Sequence, residues 1–209
     1  TAAVSGSVWQ DVGASGRYAA GNPPLSGVAV VLLRDGEPYA QTLSGEDGRF
    51  AFEKLPPGSY AVWAELPGGM RFSETAGASG RQSRIAPTEG AFGETLPFSL
   101  SMGQKEDGVD IGAVYTGSLS GAVQNAKTKA GMAGAQVSVF RNGALSAGTQ
   151  TGPDGRFRLD GLFPGEAEVR VSPPDGFALS QEQRAPLAVT IPQRGEAEPV
   201  TVSLQPEAV

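Results

Sequence analysis

The sequence contains itself twice. Residues 25–73 and 132–180 align without a gap over 49 positions, each residue lying 107 places from its counterpart. Gly27 falls opposite Gly134, the DGRF run at 47–50 opposite the one at 154–157, and Leu55, Gly58 and Pro67 opposite Leu162, Gly165 and Pro174. A match held in register for that distance means one structural unit used twice, so the fold must be built from two copies of it. The opening SGSV at 5–8 resembles SGAV at 120–123 at an offset of 115, which gives the first copy 8 extra residues before Gly27. The first copy also has a longer tail, including the Gly/Ser/Ala-rich stretch 75–93. The boundary is placed near Thr116, dividing domain 1–116 from domain 117–209. The short join through Tyr115 and Gly117 is expected to leave little freedom between them.

Each copy reads as strand. Phe50-Ala51-Phe52 and Phe157-Arg158-Leu159 alternate, as do Tyr60-Ala61-Val62 and the run from Ala167 to Val171. Val28, Val30 and Leu32 form one face of another strand, with Ala135, Val137 and Val139 as counterparts. Asp35-Gly36, Asn142-Gly143, Asp47-Gly48 and Asp154-Gly155 punctuate these runs as tight turns. No window holds helical spacing. Short strands at intervals of about 8–12 residues predict two β-sandwiches.

The residue inventory removes whole classes of chemistry. Histidine and cysteine are both absent. A Ser–His–Asp triad, a cysteine nucleophile, a disulfide, an iron–sulfur cluster and an ordinary zinc site are therefore excluded. The carboxylate pairs Glu46/Asp47, Glu106/Asp107 and Glu196/Glu198 sit in polar turns and read as solvated, so the chain is not expected to be an enzyme. A net charge of −6, with 8 basic and 13 acidic groups in residues 1–116 and 8 and 9 in 117–209, argues against nucleic acid as a partner. No apolar run approaches the roughly 18 residues of a membrane span, so no membrane insertion is expected. A chain that opens at Thr1 without methionine or signal peptide reads as a processed or excised piece.

The ordered set of Gly-(Val/Ala)-x-Val, a hydrophobic strand, DGRF, Leu-x-Pro-Gly and an alternating strand resembles the B-type repeats of Gram-positive surface proteins. These are the serine-aspartate-repeat B domains, the collagen-adhesin B domains and the carboxypeptidase-regulatory-like (prealbumin-like) modules. GSVWQD at 6–11 and VDIG at 109–112 liken the first copy to the serine-aspartate-repeat B type. The plainer GSLSGAV at 117–123 likens the second to the carboxypeptidase-regulatory type. The resemblance implies two tandem immunoglobulin-like (prealbumin/collagen-adhesin-B-like) sandwiches, serving as non-catalytic stalk or spacer repeats of an extracellular, cell-surface or wall-attached adhesin-type protein. The expected partners are neighbouring repeats of the same chain, and the expected state is monomeric. The alternatives are a module that binds a host protein or glycan, and an accessory domain of a secreted enzyme.

Two further properties come with the resemblance. Collagen-adhesin B domains join a first-strand lysine to a last-strand asparagine. Here 5–9 and 118–123 hold no lysine, and 109–115 and 200–204 no asparagine, so no isopeptide is expected. Serine-aspartate-repeat B domains bind calcium in the loop after the tryptophan. Of residues 11–22 only Asp11 is a carboxylate, whereas calcium takes six to eight oxygens including several carboxylates. Calcium is the one cofactor the resemblance brings into question, and the expectation is no tightly held metal and no cofactor.

The two copies differ most on outward positions. If Tyr60, Val62 and Ala64 face the core, period two sends Trp63 outward, where the second copy has Arg170. Trp9 aligns with Gln124, Val31 with Ser138 and Leu33 with Phe140. Trp63, Trp9, Val31 and Leu33 are thus the candidate binding face, with coverage by the 75–93 stretch as the competing reading.

Overall fold

Alternating apolar residues bounded by Asp-Gly and Asn-Gly turns form strands in both copies, and the chain divides into two units, Thr1–Tyr115 and Thr116–Val209. The computed structural model describes residues 1–74, 80–86, 90–180, 183 and 185–207; positions 75–79 and 87–89 of the stretch 75–93 lie outside the described residues. In the first unit β1 (Ala2–Gln10) lies between β4 (Arg49–Leu55) and β10 (Ile111–Tyr115), with β6 (Met70–Phe72) beyond β10 and the short β9 (Lys105–Glu106) beside the start of β1. The facing sheet runs β3 (Glu37–Leu43), β2 (Ala29–Arg34), β5 (Gly58–Glu65), and β7 (Phe92–Glu94) and β8 (Phe98–Leu100) share the far edge of β5. The second unit repeats the plan with β14 (Arg156–Leu162), β11 (Gly117–Asn125), β18 (Val200–Pro206) and β16 (Phe177–Leu179) in one sheet. β13 (Ala144–Gln150), β12 (Gln136–Arg141), β15 (Gly165–Ser172) and β17 (Leu187–Ile191) form the other. Each unit is an all-β sandwich, as the alternation predicts, of the immunoglobulin-like kind that the resemblance implies. No helix among the described residues is long and apolar enough to cross a membrane.

The inward residues of the paired sheets make one core per unit. Val4, Val8, Phe50, Phe52 and Ile111 meet Val30, Leu32, Tyr60, Val62 and Ala64 in the first. Leu119, Val123, Phe157 and Leu159 meet Val137, Val139, Val169 and Val171 in the second. Residues that share a place in the two copies do the same work. The hairpins β2–β3 and β12–β13 turn on Asp35-Gly36 and Asn142-Gly143, all four at positive φ, the I′ geometry that matches strand twist. In the DGRF turns the carboxylates of Asp47 and Asp154 each accept the amide two residues on at 3.0 Å. A Cβ on Gly48 would stand 2.4 Å from the Val8 carbonyl oxygen, and one on Gly155 the same distance from that of Val123, so neither turn tolerates a side chain.

One hydroxyl completes the copy. Ser44 Oγ accepts the Val28 amide at 2.9 Å and donates to the Leu25 carbonyl at 2.7 Å. Thr151 does the same to Ala135 at 3.0 Å and Met132 at 2.6 Å. Each stitches the start of its β2-type strand to the end of its β3-type strand.

At one shared position the copies diverge in cost. Gly161 takes a φ of 69°, and its counterpart Lys54 is forced to 58°, a left-handed conformation that costs an L-residue about 1–2 kcal/mol. Lys54 is exposed. Lys54→Gly should therefore stabilise the first unit, by about 0.5–1 kcal/mol after the added entropy of the unfolded chain. Urea unfolding followed by tryptophan fluorescence reads the first unit alone, because both tryptophans lie in it.

Candidate functional site

Strand period puts Val31, Leu33, Ala61, Trp63 and Glu65 on the outer face of the first unit's β3-β2-β5-β7 sheet. Trp63 pairs across strands with Val31 on one side and Glu94 on the other. Its ring is half-buried and stacks on Phe92, with centroids 5.5 Å apart and planes 21° from parallel. Phe92 comes from the 75–93 stretch and remains 52% exposed, so the described part of the stretch sets a second aromatic ring against the indole. Val31 is half-buried beside Gln41 and Trp63. In the second unit the same site is polar. Arg170 replaces Trp63, lies 4.3 Å over the Phe140 ring and pairs with Glu168 at 3.0 Å.

Two of the four candidate residues are not on a surface. Leu33 is buried, flanked by its cross-strand neighbours Pro38 and Ala61. Trp9 is 1% exposed. It does point away from the core that Val8 enters, yet the loop that follows folds back over it. Tyr18 meets its ring edge-on at 5.7 Å, Pro24 bridges to it, and the bare Cα of Gly112 leaves room for the indole against β10, where a Cβ would stand 2.6 Å from the ring.

Beside this loop lies a group that strand reasoning missed. Asp110, 2% exposed, accepts Arg81 Nε at 2.8 Å and Nη2 at 3.0 Å, the Ser7 amide at 3.1 Å and the Ser7 hydroxyl at 2.8 Å. The Arg81 guanidinium lies 4.1 Å over the Tyr18 ring. Burial alone would raise the Asp110 carboxyl, but the hydrogen bonds from Arg81 and Ser7 outweigh it and hold the group below the usual carboxylate range. Arg81 is raised in turn, chiefly by its hydrogen bond to Asp110. No local sequence pattern marks this pair, whose members lie 29 positions apart.

The donors do not suit calcium. Asp11, fully buried, turns Oδ1 to the Ser15 amide at 3.1 Å and Oδ2 to the Gly16 amide at 2.6 Å, both in its own loop. The Asp110 oxygens face Arg81 and Ser7. Among the described residues no three acidic groups gather where a metal ion could be held. The carboxylates paired in the sequence also have structural partners: Glu106 meets Arg84 at 3.1 Å and Glu196 meets Arg158 at 3.1 Å.

Two family models match the chain, one in each unit. The SdrD B-like domain family matches residues 2–113, and the carboxypeptidase regulatory-like domain family matches residues 118–205. Colossin-A of Dictyostelium discoideum is 40% identical over 65 residues, which are 31% of this chain and 1% of colossin-A. Serine-aspartate repeat-containing protein C of Staphylococcus aureus (strain N315) is 26% identical over 178 residues, 81% of this chain and 18% of that protein. The chain thus spans only a small part of the curated relatives it matches. Among solved structures, the minor pilin of Streptococcus agalactiae aligns over 100% of this chain and 98% of its own, at 15% identity and a TM-score of 0.42.

Two outcomes are expected. Trp63→Arg should leave the first unit folded at a cost of about 1 kcal/mol, the worth of an aromatic pair, whereas Phe50→Ala in the core should cost about 3–5 kcal/mol; urea titrations of both variants compare them directly. The second concerns acid. Because the folded Asp110 carboxyl is held below its unfolded value, its contribution is full above the unfolded value of about 4 and is lost as pH falls through the folded one. Asp110→Asn should destabilise the first unit by about 2–3 kcal/mol near neutrality, less than a fully buried pair because Arg81 is half exposed. The gap between the two proteins should stay constant down to about pH 5 and close below it.

Proposed function

The chain belongs to the SdrD B-like domain family, with a carboxypeptidase regulatory-like module behind it, and from these B-type repeats of Gram-positive surface proteins we propose that it acts as a non-catalytic spacer that carries tension at a cell surface or wall. One observation supports this reading above the others: the first and last strands of each unit lie side by side and parallel. In the first, Val8, Trp9 and Gln10 pair with Ile111, Gly112 and Ala113, and β9 continues the parallel run beside Ala3 and Val4. In the second, residues 121–125 pair one for one with 200–204.

Parallel terminal strands have a mechanical consequence. The chain enters a unit at one pole and leaves it at the other, roughly 30 Å away for ten residues of strand. Pulling on the two ends slides the strands along each other, so their hydrogen bonds are loaded together and must break together. An antiparallel pair pulled at adjacent ends opens one bond at a time. A spacer needs the first geometry. It needs no pocket and no reactive group.

A second reading, capture of a host protein or glycan, has the Trp63–Phe92 stack in its favour, since Phe92 offers half of its ring to solvent. Loss of adhesion to host-matrix proteins or glycans in Trp63→Arg, with the unit still folded, would select it.

The chain has no cysteine, so introduced thiols give unique handles for single-molecule pulling. With handles at Thr116→Cys and Glu207→Cys the second unit is sheared; with Thr116→Cys and Asp160→Cys, β11 is peeled from β14, since Gly117 pairs with Leu162. The sheared unit should unfold in one step at clearly higher force. Equal forces in the two geometries would remove the basis of the spacer reading.

A further inference from the structure

We propose that Arg81 is the built-in cation of the first unit, taking from within the chain the role for which a calcium ion is implied by the resemblance. The argument starts from what a cation does in such a module: it draws oxygens from segments far apart in sequence to one point and so fastens a loop. In this unit Asp110 and Ser7 bring such oxygens together, and the group that lies among them is an arginine of the same chain. Asp110 at the head of β10 and Ser7 in β1 present three polar atoms, and the Arg81 guanidinium meets them with two nitrogens, Nε to Asp110 Oδ2 and Nη2 to Asp110 Oδ1 and Ser7 Oγ. This is the planar fork that matches a carboxylate and that lysine cannot reproduce.

The far side of the guanidinium completes the fastening. Arg81 covers the Tyr18 ring, and Tyr18 stands edge-on to Trp9. The backbones follow: the Tyr18 amide donates to the Arg81 carbonyl at 2.9 Å, the Arg84 amide to the Asp110 carbonyl at 2.7 Å, and Arg17 bridges to Gln82. One side chain therefore ties β1, the loop 11–22, the segment 80–86 and the start of β10. The loop 11–22 and the segment 80–86 both fall in the parts of the chain that are longer in the first copy than in the second, and Arg81 itself lies beyond the aligned repeat. Meanwhile Asp11, the one carboxylate in the loop where the family pattern has several, is spent on the amides of Ser15 and Gly16. A covalently attached charge has no binding equilibrium, so the loop is held at any concentration of divalent ion. This inference does not depend on whether the chain carries tension.

The test is hydrogen exchange at the Tyr18, Ser83 and Arg84 amides together with tryptophan-monitored melting, on the whole chain, in chelator and in millimolar calcium. The wild-type protein should melt within about one degree in the two solutions and keep the same amide protection, since a site that bound calcium tightly would add a stabilisation readily seen as a shift of several degrees. Arg81→Gln should speed exchange at these amides by about tenfold or more while the core strands stay protected, and Arg81→Lys should recover only part of it. Should Arg81→Gln not fold, Arg81→Gln/Asp110→Asn removes the stranded charge and should show the same loosening. A wild-type melting point that drops by several degrees in chelator would overturn the proposal. So would unchanged loop protection in Arg81→Gln or in the double variant.

Discussion

Each unit is closed by a parallel pair, β1 with β10 and β11 with β18, and the other features of the fold are arranged around it. The pairing puts the last strand in the middle of its sheet, where Ile111, Ala113, Val202 and Leu204 complete a core that the preceding strands leave open on one side. It also brings residues about a hundred positions apart into contact. Ser7 reaches Asp110 because Val8 is in register with Ile111, and the Trp9 ring has room against β10 because its partner in the ladder is Gly112. A valine at 112 would drive a side chain into the indole, and the loop resting on that indole would lose its floor.

From this frame the copies diverge outward. Their inner faces are near equivalents, and the DGRF turn and the bridging hydroxyl at 44 and 151 repeat almost to the tenth of an ångström. The outer faces are not. Where the first unit stacks Trp63 on Phe92, the second stacks Arg170 on Phe140 and adds Glu168. Both solutions cover an exposed apolar ring or patch with a flat group, but the first keeps an apolar surface and the second a charged one.

What the sequence revealed follows from how far each interaction reaches. Strand phase, the two I′ hairpins and the inward placement of Phe50 and Phe157 depend on neighbours within a few residues, and they were legible as alternation and as Asp-Gly or Asn-Gly. The outward direction of Trp63 was legible for the same reason. Direction is not exposure, however. Trp9 also points outward, and only the fold of the loop that carries Tyr18 decides that it is covered. Nothing local distinguishes Arg81 from the exposed Arg49 in the sequence, because its partner is set by the β1–β10 register. The hydroxyl at 44 and 151 is a different case: the two positions align as Ser and Thr, but the two-sided hydrogen bonding depends on how the strands are brought together.

The additions in the first unit explain why it needs these long-range fasteners and the second does not. Ordering each extra residue costs about 1–2 kcal/mol of backbone entropy, so an insertion persists only if it brings contacts of its own. The loop 11–22 brings Asp11, which gathers its own amides, and Tyr18, which closes over Trp9. The described part of 75–93 brings Arg81 to Asp110, Phe92 to Trp63, and Ile85, fully buried against Phe72 and the bare Cα of Gly93. Burying Ile85 alone is worth about 1.5–3 kcal/mol, comparable to ordering only one or two residues. The rest is shared among backbone pairing, such as Phe92–Glu94 on β5 and Ile85 with Thr95, and the aromatic and ionic contacts, of which the Arg81 fork is the one that joins the loop 11–22, β1 and β10 at a single side chain.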